Sequence, residues 1–286
     1  MIPSIPRPRV FRVAYAAYVA IFFVYLIAPL AVVAAFAFND SMFPSLPWKG
    51  VTLEWFLNDE EPRLGLFHDG ALTESIGISA FVAFWVTILA VGVGTCNAFL
   101  FERERFPFRE LLYMLMLAPL VIPGVILGIS ILVFSNSIIN GVEGAVGLEF
   151  EALRPGLLLV VAGQFSFIAT ITTLVIAARL RKFDQALEEA ALNLGATRIV
   201  AVWTVTIPYL RPALIGAGIV AFLISFENFN TTLMLVGSDA PLTITMYDRL
   251  REGSTPVLNA VSLVLMAGSG ALALTSVFVQ GRRGAS

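Results

Sequence analysis

The chain has 286 residues, of which 58% are apolar or aromatic and 13% charged, with a formal net charge of −2 and a mean hydropathy of +0.87. An ordinary soluble domain carries roughly 25% charged residues, so a solvated globule, a disordered chain and a nucleic-acid binder with a basic surface are excluded. The hydrocarbon of a lipid bilayer is the solvent that suits this composition.

Six apolar stretches are long enough to cross about 30 Å of hydrocarbon as helices: roughly 14–38, 73–100, 111–134, 156–178, 213–236 and 257–280. The first follows Arg7, Arg9 and Arg12 and ends near Ala35-Phe36-Ala37, which imitates a secretory signal and its cleavage site. Its apolar run of about 25 residues exceeds the roughly 7 to 15 of a signal core, so it is expected to stay attached as a span. In the polar stretch that follows, Trp48, Trp55 and Phe56 fit an aromatic belt at the membrane interface or a contact with an external protein.

In the third span Pro119 and Pro123 interrupt the helical ladder, and Gly124 and Gly128 form a Gly-x-x-x-Gly face, which suits either a kinked gate or a close packing contact. Gln164, Ser166, Thr170 and Thr173 give the fourth span a polar wall, readable as pore lining or as packing. The longest polar stretches, about 39–72 and 179–212, fall well short of a domain of about 100 residues. The whole of 1–286 therefore reads as a single all-α transmembrane domain without a repeat of fixed period.

The arginines orient it. With the N-terminus inside, 13 of the 18 basic residues fall on inner segments, five of them in 179–212 and two at Arg282 and Arg283, while 13 of the 20 acids fall outside. Basic residues stay on the cytoplasmic side of short loops, so both termini are expected in the cytoplasm. Enzyme chemistry has little to stand on. Cys96 and His68 are single, which removes metal sites built on two histidines, and neither Lys49 nor Lys182 ends a phosphate-cradling Gly-x-x-x-x-Gly-Lys-Ser/Thr loop.

The inner loop 179–212 looks structured. Asp184 is placed to cap a helix and Gly195 to end it, over about three turns. Leu187, Ala190, Ala191 and Leu194 fall at i, i+3, i+4 and i+7 as a narrow apolar stripe that wants a partner, flanked by the carboxylates of Glu188 and Glu189. Lying flat on the membrane is the plain alternative for such a helix.

Glu189-Ala190-Ala191, three residues, Gly195, nine residues, then Val205-Thr206-Ile207-Pro208 resembles the EAA loop of binding-protein-dependent ABC importer permeases. The family pattern ends Ile-x-Leu-Pro, so this chain departs only at Val205 and Ile207, both apolar swaps. The resemblance implies the type I, MetI-like permease fold in a bacterial inner membrane. It implies that Glu188, Glu189, Ala190, Ala191, Leu194, Gly195 and Pro208 belong to a coupling helix and its return into the membrane. It further implies two ATP-binding subunits that supply the ATP and magnesium chemistry, a second permease subunit or a second copy, and an extracytoplasmic solute-binding protein. No cofactor is expected on this chain.

Glu227 is the one acid in the middle of an apolar span, inside Ser225-Phe226-Glu227-Asn228-Phe229-Asn230-Thr231. A carboxylate in hydrocarbon is costly unless it meets water, a partner or a ligand. On a continuous helix Asn230 and Thr231 share its face, which makes Glu227, Asn228, Asn230, Thr231, Gln164 and Ser166 a candidate path for a polar solute, or an interhelical hydrogen-bond cluster.

From Ser225 to Gly237, and again at Pro241-Leu242-Thr243-Ile244, Met246-Tyr247-Asp248 and Pro256-Val257-Leu258-Asn259-Ala260, the chain resembles spermidine/putrescine permeases of the PotC-like branch. Where that branch has an acidic pair, this chain has Glu227-Asn228, which weakens the case for a multivalent polyamine. An amino acid derivative, a phosphonate or a thiamine-like compound is the alternative solute. An autonomous secondary carrier or channel using Glu227 is the alternative of another class.

Overall fold

The computed structural model describes residues 8–146, 151–253 and 255–281, so Arg7, Arg282 and Arg283 of the charge count lie outside the described residues. In chain order its helices are α1 (Arg9–Phe36), α2 (Glu54–Leu57), α3 (Gly70–Arg103), α4 (Arg109–Val121), α5 (Gly124–Val146) and α6 (Leu157–Leu180). There follow α7 (Ala186–Asn193), α8 (Arg198–Ala201), α9 (Ile207–Phe226), α10 (Thr232–Leu235), α11 (Leu242–Glu252) and α12 (Val257–Gly281). Six helical stretches among the described residues are long and apolar enough to span a membrane.

Two of the expected spans are drawn differently. The stretch 111–134 is not one helix: α4 stops at Val121, and Pro123, which has no N–H to donate, separates it from α5. The spanning stretch is Gly124–Ala145. The fifth span, expected over 213–236, runs instead over Arg198–Phe226. Pro208, with no N–H to donate, sits where a π-helical stretch, Val202–Thr206, passes into α9, a local change of winding that lets the helix continue through it. The run Leu233–Val236 is apolar enough to look like more span, but the polar residues before it leave the helix.

The chain groups into two compact units, one from its start to Gly70 with Arg249–Ala267, the other Ala71–Asp248 with the chain from Gly268 on. In the second unit, Val82, Val86 and Ala90 of α3, Leu159, Val160 and Ile168 of α6, Ala221 of α9 and Leu235 of α10 form one buried apolar cluster. Ala98, Ile176, Leu180, Phe183 and Leu210 form another towards the 179–212 loop. The polar residues of α6 are spent on this packing. Thr170 donates to the carbonyl of Met116 and Thr172 to that of Ala90, both at 2.7 Å, and Thr173 bonds its own helix at Ala169.

Close approach of α3 to α6 depends on Gly94, where a Cβ would run into Thr172 Oγ1 and lie 3.0 Å from the Thr173 nitrogen. Gly94→Leu is expected to destabilise the bundle by about 2 kcal/mol, the usual cost of overpacking. Gly92→Leu, on the same helix with nothing within 4 Å, is expected to be neutral. Thermal denaturation of the two variants in detergent compares them, and equal midpoints would refute the close contact.

In the first unit, the chain after α1 folds on Trp55. Its indole N–H donates to the Asn39 carbonyl at 2.9 Å, and Trp55 and Phe56 are 2% and 9% exposed. Neither is free for a membrane belt or a partner, contrary to the reading above, because α2 turns both inward; Trp48 remains exposed. Arg63 pairs with Glu54 and Asp40, each at 2.6 Å, and these hydrogen bonds raise its pKa above the ordinary value. Arg249 grips Asp69 through two bonds of 2.5 and 2.9 Å.

Candidate functional site

The EAA segment folds as its residues dictate. Asp184 Oδ1 accepts from the Ala186 N–H at 3.0 Å and caps α7. At the other end Gly195 adopts φ +91°, its N–H bonds the Leu192 carbonyl at 2.9 Å, and the Ala196 N–H bonds that of Ala191 at 3.1 Å. This is a Schellman closure, which needs a residue without a Cβ at the left-handed position. The helix has eight residues, shorter than the expected three turns, because the closure begins at Leu194.

No residue of α7 is buried. Leu187 and Leu194 are exposed, the latter 90%, as are Glu189, Ala190 and Gly195, while Ala191 and Pro208 are half-buried. Among the described residues the apolar stripe is therefore largely uncovered. Ile199, Val200 and Trp203 add to the exposed apolar surface just beyond it.

Glu188 behaves differently from Glu189 and does not face outward as a docking carboxylate. Arg103, the last residue of α3, donates to both of its oxygens at 2.8 and 3.2 Å, and Thr206 donates to it as well. The Arg103 guanidinium also lies over the Phe183 ring, 5.4 Å from its centre. Beside it Arg181 pairs with Glu102 at 2.7 Å, and Glu102 raises the Arg181 pKa most. Two ion pairs thus tie the end of α3 to α7 and to the end of α6. The spacing of Glu188 from its neighbours carried no sign of this, since Arg103 is 85 residues away.

At the far end of α9 the continuous helix assumed for Glu227 is broken. The helix ends at Phe226, Glu227 takes φ −91° and ψ 4°, and the chain resumes helical form only at Thr232. Glu227 is therefore at a helix end rather than in mid-span, and it does not share a helical face with Asn230 and Thr231. Glu227, Asn228, Asn230 and Thr231 crowd four polar side chains into five residues, and outside the helix Asn228 and Thr231 find partners at Thr232 and Gly124. Glu227 and Asn230 are exposed, and the Glu227 carboxylate makes no hydrogen bond among the described residues.

The remaining candidates divide. Thr231 is 1% exposed against α5, and its hydroxyl donates to the Gly124 carbonyl at 3.4 Å. The small face of α5 is a packing face: a Cβ at Gly124 would meet Asn230 at 3.1 Å, and one at Gly128 would meet Met234 at 2.9 Å. Gln164 is 1% exposed, so it cannot line an open path here, and half-buried Ser166 bonds the Gly163 carbonyl of its own helix at 2.7 Å. Asn228 Oδ1 accepts from the Thr232 N–H at 3.3 Å and from its hydroxyl at 3.1 Å.

The segment is held against α11, where sequence reasoning placed no helix. The Thr243 hydroxyl donates to the Asn228 carbonyl at 3.0 Å, and the Phe229 and Tyr247 rings are 5.0 Å apart. What this arrangement offers is an exposed carboxylate and amide on a helix break, next to an aromatic pair, in an otherwise apolar bundle.

Residues 90–282 match a family described as the binding-protein-dependent transport system inner membrane component. The chain is 27% identical over 262 residues to the putrescine transport system permease protein PotI of Escherichia coli K12, covering 91% of this chain and 88% of that one. It is 24% identical over 264 residues to the spermidine/putrescine transport system permease protein PotC of Haemophilus influenzae, covering 92% and 95%. Its fold matches a chain of a bacterial ABC transporter involved in the import of the polysaccharide alginate, with a TM-score of 0.73, 15% identity and 96% of each chain covered.

Proposed function

The chain belongs to the family of binding-protein-dependent inner membrane components and is a multi-pass permease subunit of an ABC importer, and from that premise we propose that it forms the path for a small amine-bearing cation. The observation that carries this is Glu227, a carboxylate left exposed where the apolar helix α9 ends. Such a group is retained in a bundle when water or a ligand meets it. The polyamine permeases among the relatives support an amine; the alginate importer's fold says nothing of charge, since one permease fold serves many solutes. Asn228 is spent inside the chain on Thr232, so the want of a second acid at that position does not argue against a cation bearing more than one charge.

In this reading α7 docks, through Leu187, Ala190, Ala191 and Leu194, in a groove of an ATP-binding subunit. Two such subunits carry ATP and magnesium, a second permease completes the path and an external binding protein delivers the solute. The excess of arginine on the 179–212 side supports a cytoplasmic position for this loop and for both termini. The test is purification of the tagged chain from its native membrane. Recovery of an ATP-binding subunit, a second permease and a binding protein, with ATPase activity raised by putrescine or spermidine, is expected. Recovery of the chain alone, moving solute down an ion gradient, would replace this reading by an autonomous carrier.

Glu227→Gln removes the charge and keeps the shape. Amine uptake is expected to fall about tenfold, the size of one charge-assisted contact, with assembly and basal ATPase activity unchanged. Uptake at the wild-type rate would make Glu227 a structural residue.

A further inference from the structure

The hydrogen bonds around the break between α9 and α10 form one directed chain, and Gln164 is its centre. The Thr232 backbone N–H can only donate, so the Asn228 atom that it meets at 3.3 Å must be the carbonyl oxygen. The Thr232 hydroxyl gives its hydrogen to that same oxygen and must therefore accept from Gln164, at 2.8 Å from Nε2. That leaves Gln164 Oε1 facing Ser225, whose hydroxyl donates to it. One buried carboxamide thus bonds the last turn of α9 on one side and the first residue of α10 on the other, across the five residues 227–231.

Nothing else on α6 reaches both sides of the break in this way. The neighbour of Gln164 is shaped for the same contact: a Cβ at Gly163 would collide with Leu235 of α10 and lie 3.4 Å from Thr231 Cγ2. The absence of a side chain there lets α10 lie against α6, within reach of the amide. The alternative to the break is the continuous helix that the local sequence also permits, in which 227–231 turn through the apolar bundle and Thr232 no longer meets Gln164.

We propose that Gln164 is a positioning residue that pins the break open and thereby keeps Glu227 and Asn230 exposed on the solute path. It does so without touching solute, being itself 1% exposed. The proposal rests on the reading of Glu227 given above, and two measurements separate the two ideas.

The first is indifferent to the solute. In the assembled importer with Cys96→Ala and Asn230→Cys, a membrane-impermeant maleimide is expected to label position 230 readily. Gln164→Leu is expected to slow that labelling at least about fivefold, the scale of losing two buried hydrogen bonds. Thr232→Val, which keeps the shape of the side chain and removes the acceptor of Nε2 together with the hydroxyl's own bond to Asn228, while the Thr232 N–H still holds Asn228, is expected to slow it less, and serves alone if Gln164→Leu does not assemble. Gln164→Glu, whose carboxyl in its neutral form offers the same donor and acceptor, is expected to restore it. Unchanged labelling in assembled Gln164→Leu and Thr232→Val would overturn the pin.

The second is a double-mutant cycle on amine uptake. Gln164→Leu is expected to lower uptake about tenfold beside Glu227 and less than about twofold beside Glu227→Gln, because coupled residues are not additive. Equal falls in both backgrounds would mean that Gln164 acts on stability alone. If Glu227→Gln by itself leaves uptake unchanged, the path reading fails, and the labelling result still decides the pin.

Discussion

Glu188→Lys is expected to abolish transport while leaving the chain inserted. Glu188 and Arg103 are each less than one-fifth exposed at the side chain, so the variant buries two cations where an ion pair stood. Removing one partner of a buried pair costs about 3 to 5 kcal/mol, and partial exposure reduces this to roughly 2 to 3. At about 1.4 kcal/mol per tenfold, the population of α7 correctly seated on α3 falls some thirty-fold or more. Reconstituted complexes are then expected to hydrolyse ATP at a basal rate that solute and binding protein no longer raise.

The reversal is the sharper part. Arg103→Glu combined with Glu188→Lys restores opposite charges across the same contact, and uptake is expected to return to within about fivefold of wild type. The Phe183 ring under the cation and the Thr206 hydroxyl favour the original arrangement, so recovery is expected to be incomplete. A swap as inactive as Glu188→Lys alone would place the importance of Glu188 in a contact with a partner subunit instead.

What a sequence tells and withholds divides along physical lines here. The six spans follow from a solvent that tolerates no unpaired backbone, and α7 follows from local signals, Asp184 at one end and Gly195 at the other. The family pattern lies in the same local segment, so it was legible with it. Glu188 was not, because its partner Arg103 stands at the end of another helix and only the fold brings them together. Nor was the break after Phe226. Periodicity sees an apolar run continuing to Val236, while the exit from the helix is stabilised by Gln164 and Thr243, which are distant in sequence. The same distance explains why Gln164 read as pore wall and is instead a buried tie.

The second large effect is expected at Gly195. Proline there removes the N–H that bonds the Leu192 carbonyl and cannot adopt φ +91°, since its ring holds φ near −65°. The two closing bonds of α7 are lost together, and Leu194, 90% exposed at the helix end, loses its fixed direction. On a helix of eight residues, which has too few internal hydrogen bonds to stand without its ends, the expected result is a melted coupling segment. In the reading proposed here, the ATP-binding subunits then fail to co-purify or hydrolyse ATP without transport. Gly195→Asn separates backbone from surface: asparagine tolerates the left-handed conformation at a cost of about 1 kcal/mol, and nothing lies within 4 Å of the added Cβ. It is expected to keep at least about a fifth of the wild-type coupled activity. If asparagine is as damaging as proline, the bare backbone of Gly195 must itself lie against the partner, and close approach rather than helix closure would be the reason for the glycine.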